Sequence, residues 1–155
     1  ARRCKKGAST IMREEAHHSH RAAEPTGAYA HARRAGGLLF LAGIGPRVRG
    51  SRSIPGVRLD ASGAVVDYDL EAQVRSCFAG VRMVLEEAGS SWEKIIDVTV
   101  FLTDMKRDFA TYNRLWSEYF PPGPHSPTRT TIEVKSLPQA GEAPINFEVK
   151  VVALA

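Results

Sequence analysis

Between Asp69 and Gly89 the apolar residues Leu70, Val74, Cys77, Phe78, Val81, Val84 and Leu85 recur at spacings of three and four. That period lays them on one face of an α-helix, with Asp69 placed to cap its start and Gly89 to stop its end. A helix with one apolar face needs a surface to cover it. The next stretch supplies one: from 95 to 102, Ile96, Val98, Val100 and Leu102 alternate with Asp97, Thr99 and Phe101, the period-2 pattern of a strand rich in β-branched residues. Its place after a helix points to a βαβ crossover. Residues 106–120 then set Phe109, Tyr112, Trp116, Tyr119 and Phe120 on a second helical stripe, closed by Pro121 and Pro122.

Shorter strands surround this centre. The apolar run 38–43, bounded by glycines, reads as a buried strand, and a short strand around Tyr29 is expected to pair with it. Residues 45–69 are rich in Pro, Gly and Arg and predict a long loop with one short strand near Val65. Two more strands are predicted at 128–134 and 145–153, separated by Leu137-Pro138 and a loop at Gly141. The order strands, helix, strand, helix, strand, strand favours an α+β domain with both helices on one face of a sheet of about six strands. The final strands are apolar on both sides, so oligomerisation is the expected cover for the second face.

A chain of 155 residues fits one domain, expected over 26–155 behind a flexible leader of residues 1–25 that shows neither period. Residues 1–34 hold 8 Lys/Arg against 3 Asp/Glu, while the rest hold 13 against 14. The positive excess therefore belongs to the N-terminal stretch, and a nucleic-acid partner is not expected. The run at 38–43 falls far short of the roughly 20 apolar residues of a membrane-spanning helix. Two cysteines, Cys4 and Cys77, write no disulfide framework and fit a reducing, cytoplasmic setting, although the basic leader is also compatible with organellar import.

Strand alternation sets Arg129, Thr131 and Glu133 on one face and Thr130, Ile132 and Val134 on the other. A guanidinium at this strand start is either a two-pronged grip for a carboxylate or half of a structural salt bridge. Glu148 faces away from Phe147 and Val149; it is either a partly buried acid or base, or a surface carboxylate paired with a lysine. His17, His18 and His20 have metal-like spacing but lie in the unpatterned leader, and no metal site is expected. His31 and His125 are isolated, and no Walker loop, dinucleotide fingerprint or Cys-x-x-Cys pair is present.

From about Gly27 to the C-terminus the chain resembles the RidA/YjgF/UK114 family. Gly27-Ala28-Tyr29 is similar to its N-terminal Gly-x-Tyr, Leu41-Ala42-Gly43 to its Ser-Gly strand end, and Phe109-Ala110-Thr111-Tyr112-Asn113 to its second helix. Pro127-Thr128-Arg129, Leu137-Pro138 and Phe147-Glu148 match the signature around the family's catalytic arginine and late glutamate.

The resemblance implies a chorismate-mutase-like fold, a homotrimer with clefts between subunits, and cofactor-independent hydrolytic deamination of imine or enamine acids. It implies that Arg129 binds the substrate carboxylate and Glu148 positions or activates water, while Tyr29, Asn113 and Thr131 belong to the cleft or its frame. Ile44, Thr131 and Asn146 stand where the family commonly has Gln, Cys and an acid, so cysteine-based reactivity is absent from this cleft. The long loop with Arg47, Arg49 and Arg52 resembles that of the 2-aminomuconate deaminase branch, and Arg47 or Arg49 would meet the distal carboxylate of such a dicarboxylate unless the loop is simply solvated. A general 2-imino acid deaminase and a non-catalytic trimeric ligand-binding or regulatory module are the alternatives.

Overall fold

The computed structural model describes residues 14–139 and 141–155. Its strands are β1 (Glu15–His17), β2 (Ala32–Ala35), β3 (Leu38–Leu41), β4 (Val57–Leu59), β5 (Val65–Tyr68), β6 (Ile95–Leu102), β7 (Thr128–Glu133) and β8 (Phe147–Leu154). The helices are α1 (Leu70–Glu87) and α2 (Met105–Tyr119). Six strands form one sheet in the order β1-β2-β3-β8-β6-β7, parallel only between β6 and β7, and β4 and β5 make a separate hairpin. The crossover thus runs through α2, one element later than the sequence suggests.

Both helices start where a side chain satisfies free backbone N–H groups. Asp69 Oδ1 accepts from the Glu71 amide at 2.9 Å, and Asp104 Oδ1 from the Arg107 amide at 2.9 Å. Past α1, Gly89 holds φ +76°, the left-handed turn that glycine adopts without strain. The predicted apolar face of α1 is the one that is buried, and it shares a single core with Tyr112 and Leu115 of α2 and with Val98, Val100, Leu102, Phe147, Val149 and Val151 of the sheet. Each such side chain, fully buried, contributes about 1.5–3 kcal/mol. The same alternation leaves Phe40, Phe101, Ile132 and Val152 on the face away from the helices, with Phe40 and Ile132 each 41% exposed.

Two sequence expectations are corrected. The partner of β3 is Ala32–Ala35 and not a strand around Tyr29, because Gly36 and Gly37, both at positive φ, make a two-residue hairpin turn that pairs Ala35 with Leu38. The leader expected through residue 25 contributes an edge strand, β1, paired to β2, and Ser19 and Ala22 are buried. Side chains capturing backbone, and not a periodic apolar face, hold this segment, so no pattern announced it. The Ser19 amide donates to His31 Nδ1 at 3.0 Å, His31 Nε2 donates to the Ala23 carbonyl at 2.9 Å, and Ser19 Oγ donates to Glu87. Residues 1–13, including Cys4, lie outside the described residues.

Candidate active site

Arg129 opens β7 in register with Val98 of β6, on the helix-covered face of the sheet. Its Nη1 donates to Asn113 Oδ1 at 2.9 Å, and its guanidinium carbon lies 5.0 Å from the centre of the Trp116 ring and 5.4 Å from that of Tyr112. No carboxylate pairs with it among the described residues, so the salt-bridge alternative has no partner here. Thr131 follows two residues on, half-buried on the same face. Trp116 and Tyr112 were legible in the sequence as an aromatic stripe, but their meeting with Arg129 depends on how α2 crosses the sheet.

Glu148 lies on the opposite face. Phe147 and Val149 point into the core with 0% exposure, and Glu148 between them projects away from the helices beside Gly43. A Cβ at residue 43 would overlap the Glu148 carboxylate, with its Cδ at 3.0 Å, so glycine there lets the carboxyl lie over the backbone. A small cavity of about 110 Å³ joins Glu148 to Tyr29, Arg47, Thr26 and Pro138. Burial raises the Glu148 carboxyl above the ordinary carboxylate range, partly offset by the charge of Arg47. Tyr29 is half-exposed, its hydroxyl bonded to Thr26 Oγ1 at 2.9 Å.

The loop arginines part company. Arg47 lines the Glu148 cavity and donates to the Glu24 carbonyl at 2.8 Å. Arg49, expected as a substrate contact, is instead a clamp: it donates to the carbonyls of Ser19 and Ala22 at 3.0 Å each and to Glu24 Oε1 at 2.5 Å. A guanidinium committed to three acceptors has little left for a ligand. Arg49→Ala is therefore expected to speed amide hydrogen exchange in residues 19–25 by at least tenfold while exchange in α2 stays unchanged. Exchange in residues 19–25 at the wild-type rate in the variant would return Arg49 to the list of ligand contacts.

Asn146, where the family commonly has an acid, is absorbed in a closed network. Its amide N–H donates to Gln73 Oε1 at 2.8 Å, its Oδ1 accepts from Gln73 Nε2 at 3.2 Å and its Nδ2 donates to Thr103 Oγ1 at 2.9 Å. Cys77 is fully buried, its thiol pushed up by burial. Among the described residues no three His, Cys, Asp or Glu side chains gather as metal ligands, and no helix is long and apolar enough to cross a membrane. A separate cavity of about 510 Å³ is a groove of Trp92, Phe120 and the prolines of residues 121–127, and it shares no lining residue with either half of the site.

The fold and this divided arrangement define a small α+β protein of the chorismate-mutase-like class. The Endoribonuclease L-PSP family model matches residues 19–155, and the chain belongs to that family, the RidA/YjgF/UK114 proteins. A RutC family protein of Pyrococcus abyssi is 34% identical over 129 residues, covering 83% of this chain and 90% of that protein. Among solved structures, Escherichia coli TdcF with bound serine is 27% identical with a TM-score of 0.73, covering 91% of this chain and 98% of that one. The Rid family protein YyfA of Yersinia pestis is 25% identical with a TM-score of 0.73, covering 92% of this chain and 100% of that one.

Proposed function

We propose that the chain is a cofactor-independent hydrolytic deaminase that converts an imine or enamine acid to its oxo acid with release of ammonia. The observation that carries this reading is the placement of Arg129 and Glu148 on opposite faces of one sheet. Neither half is a site alone. A second copy whose open face meets the Arg129 edge of the first brings the two together, and the exposed Phe40 and Ile132 on that face give it reason to associate. The working unit is then a homotrimer with three clefts, each built from Arg129, Asn113 and Thr131 of one subunit and Tyr29, Arg47 and Glu148 of its neighbour.

In such a cleft Arg129 holds the substrate carboxylate by two parallel hydrogen bonds. The enamine takes a proton at carbon to become an iminium; water adds to the C=N carbon, and the carbinolamine expels ammonia as its C–N bond breaks and C=O forms. Glu148, its carboxyl raised by burial, is suited to take a proton from the adding water and deliver it to the nitrogen that leaves as ammonia. The serine held by TdcF is a small amino acid with the α-carboxylate this reading requires.

For the substrate itself we infer a dicarboxylate such as 2-aminomuconate, with Arg47 meeting the distal carboxylate. The test is ammonia release from enzymatically generated 2-aminomuconate beside release from an imine made from a simple amino acid. Fast release from 2-aminomuconate supports the dicarboxylate reading, and release from the simple imine alone makes the chain a general 2-imino acid deaminase. Release from neither, or RNA cleavage without ammonia, overturns the deaminase reading in favour of a ligand-binding module or a ribonuclease. The paucity of cysteines suits a cytoplasmic setting; a relative in Schizosaccharomyces pombe, 36% identical over 94 residues, is named as mitochondrial.

A further inference from the structure

An arginine that grips a carboxylate must present one edge of a flat fork in a fixed direction. Two constraints fix that direction: the plane of the guanidinium and one anchor within the plane. Here α2 supplies both. Asn113 Oδ1 anchors Nη1 at 2.9 Å, and the rings of Trp116 and Tyr112 lie 5.0 Å and 5.4 Å from the guanidinium carbon. The rings are themselves held. Tyr112 is fully buried with its ring centre 5.6 Å from that of Phe147, and Trp116 rests on Phe120 at 4.3 Å. The Tyr112 hydroxyl is buried beside Arg129 and Thr131 with no hydrogen bond of full geometry among the described residues, so this residue turns both its ring and its hydroxyl toward the guanidinium.

We propose that Trp116 and Tyr112 form an aromatic seat that positions Arg129, leaving the guanidinium edge not used by Asn113 aimed at the substrate carboxylate. Both are positioning residues that act through Arg129, and the proposal rests on reading Arg129 as the carboxylate grip. A seat on a helix packed into the core is rigid, and a grip set by direction discriminates planar carboxylates from other anions. It also removes much of the rotamer freedom an exposed arginine would lose on binding.

Three variants separate the seat from mere packing. Trp116→Leu keeps apolar bulk and removes the π face, Trp116→Phe keeps the face, and Tyr112→Phe keeps the ring and removes only the hydroxyl beside Arg129 and Thr131. Two readouts are taken on each: calorimetric binding of pyruvate, the simplest 2-oxo acid product, and kcat/KM for a simple imine, with thermal unfolding to verify folding. Trp116→Leu is expected to weaken pyruvate binding and kcat/KM together by roughly 3- to 30-fold, mostly through KM, the size of a cation–π contact. Trp116→Phe and Tyr112→Phe are expected to stay within about threefold of wild type, since both keep a ring under the guanidinium.

A folded Trp116→Leu protein that matches wild type in both readouts overturns the seat, as does a Trp116→Phe protein impaired as badly as Trp116→Leu. If wild type binds pyruvate but releases no ammonia, the deaminase reading fails and the binding readout still decides the seat. A wild type that does neither overturns both.

Discussion

Arg129→Ala is expected to lower kcat/KM for ammonia release at least tenfold, a loss of roughly 1.4 kcal/mol or more in transition-state stabilisation. The expectation follows from what surrounds the side chain. Among the described residues Arg129 has no carboxylate partner and is held in place by Asn113 and two rings, so in the proposed cleft its remaining donors are free for the substrate carboxylate. Arg129→Lys should fare little better. An ammonium keeps the charge but has neither the plane that stacks on Trp116 nor the fork that meets both oxygens of a carboxylate. Steady-state kinetics on both variants, with unfolding curves beside them, distinguish this from a structural role. A stable Arg129→Ala protein with wild-type kcat/KM would remove Arg129 from the site.

The second large effect is at Glu148. Glu148→Gln keeps volume and hydrogen bonding but cannot move a proton, and the expected loss in kcat is on the order of 10²-fold or more. Stability should move the other way. Burial raises the Glu148 carboxyl above the ordinary 4.5, so between that value and the raised one the folded chain binds more protons than the unfolded chain. Stability contributed by the group is present below this window and falls as pH rises through it. The Gln variant has no charge to desolvate and should melt higher than wild type above the window and no higher below it. Loss of activity together with this gain in stability is the signature of a residue kept for chemistry. A Gln variant with full activity would point instead to ligand binding without catalysis.

Much of the fold was legible because its two helices and long strands are periodic. Leu70 through Leu85 and Val98 through Leu102 announce their faces by spacing alone, and the structure buries both on the faces so predicted, while Ile96, expected beside Val98, is 39% exposed because a register shift between Ile95 and Asp97 buries Ile95 instead. The N-terminal segment was illegible for a physical reason. It is held by Arg49, His31 and Glu87 acting on its backbone and on Ser19, contacts between residues far apart in sequence that leave no local pattern. The site divides similarly. Strand alternation already placed Arg129 with Thr131 and set Glu148 apart from Phe147 and Val149. That Arg129 and Glu148 occupy opposite faces of the same sheet required the strand order, since β7 and β8 are not neighbours but flank β6. Arg47 and Arg49 look alike in the loop, and only their partners tell a cleft residue from a clamp.

The most direct test of a cleft shared between two copies is subunit mixing. Arg129→Ala and Glu148→Gln chains, each nearly inactive, are unfolded together in equal amounts, refolded and assayed for ammonia release. In any cyclic assembly with random mixing, a cleft takes an intact Arg129 from one chain and an intact Glu148 from its neighbour about one time in four. The account predicts that the mixture recovers about a quarter of wild-type activity. A mixture no more active than its two parents, with co-assembly verified by mass, would contradict it and place the working site within a single chain.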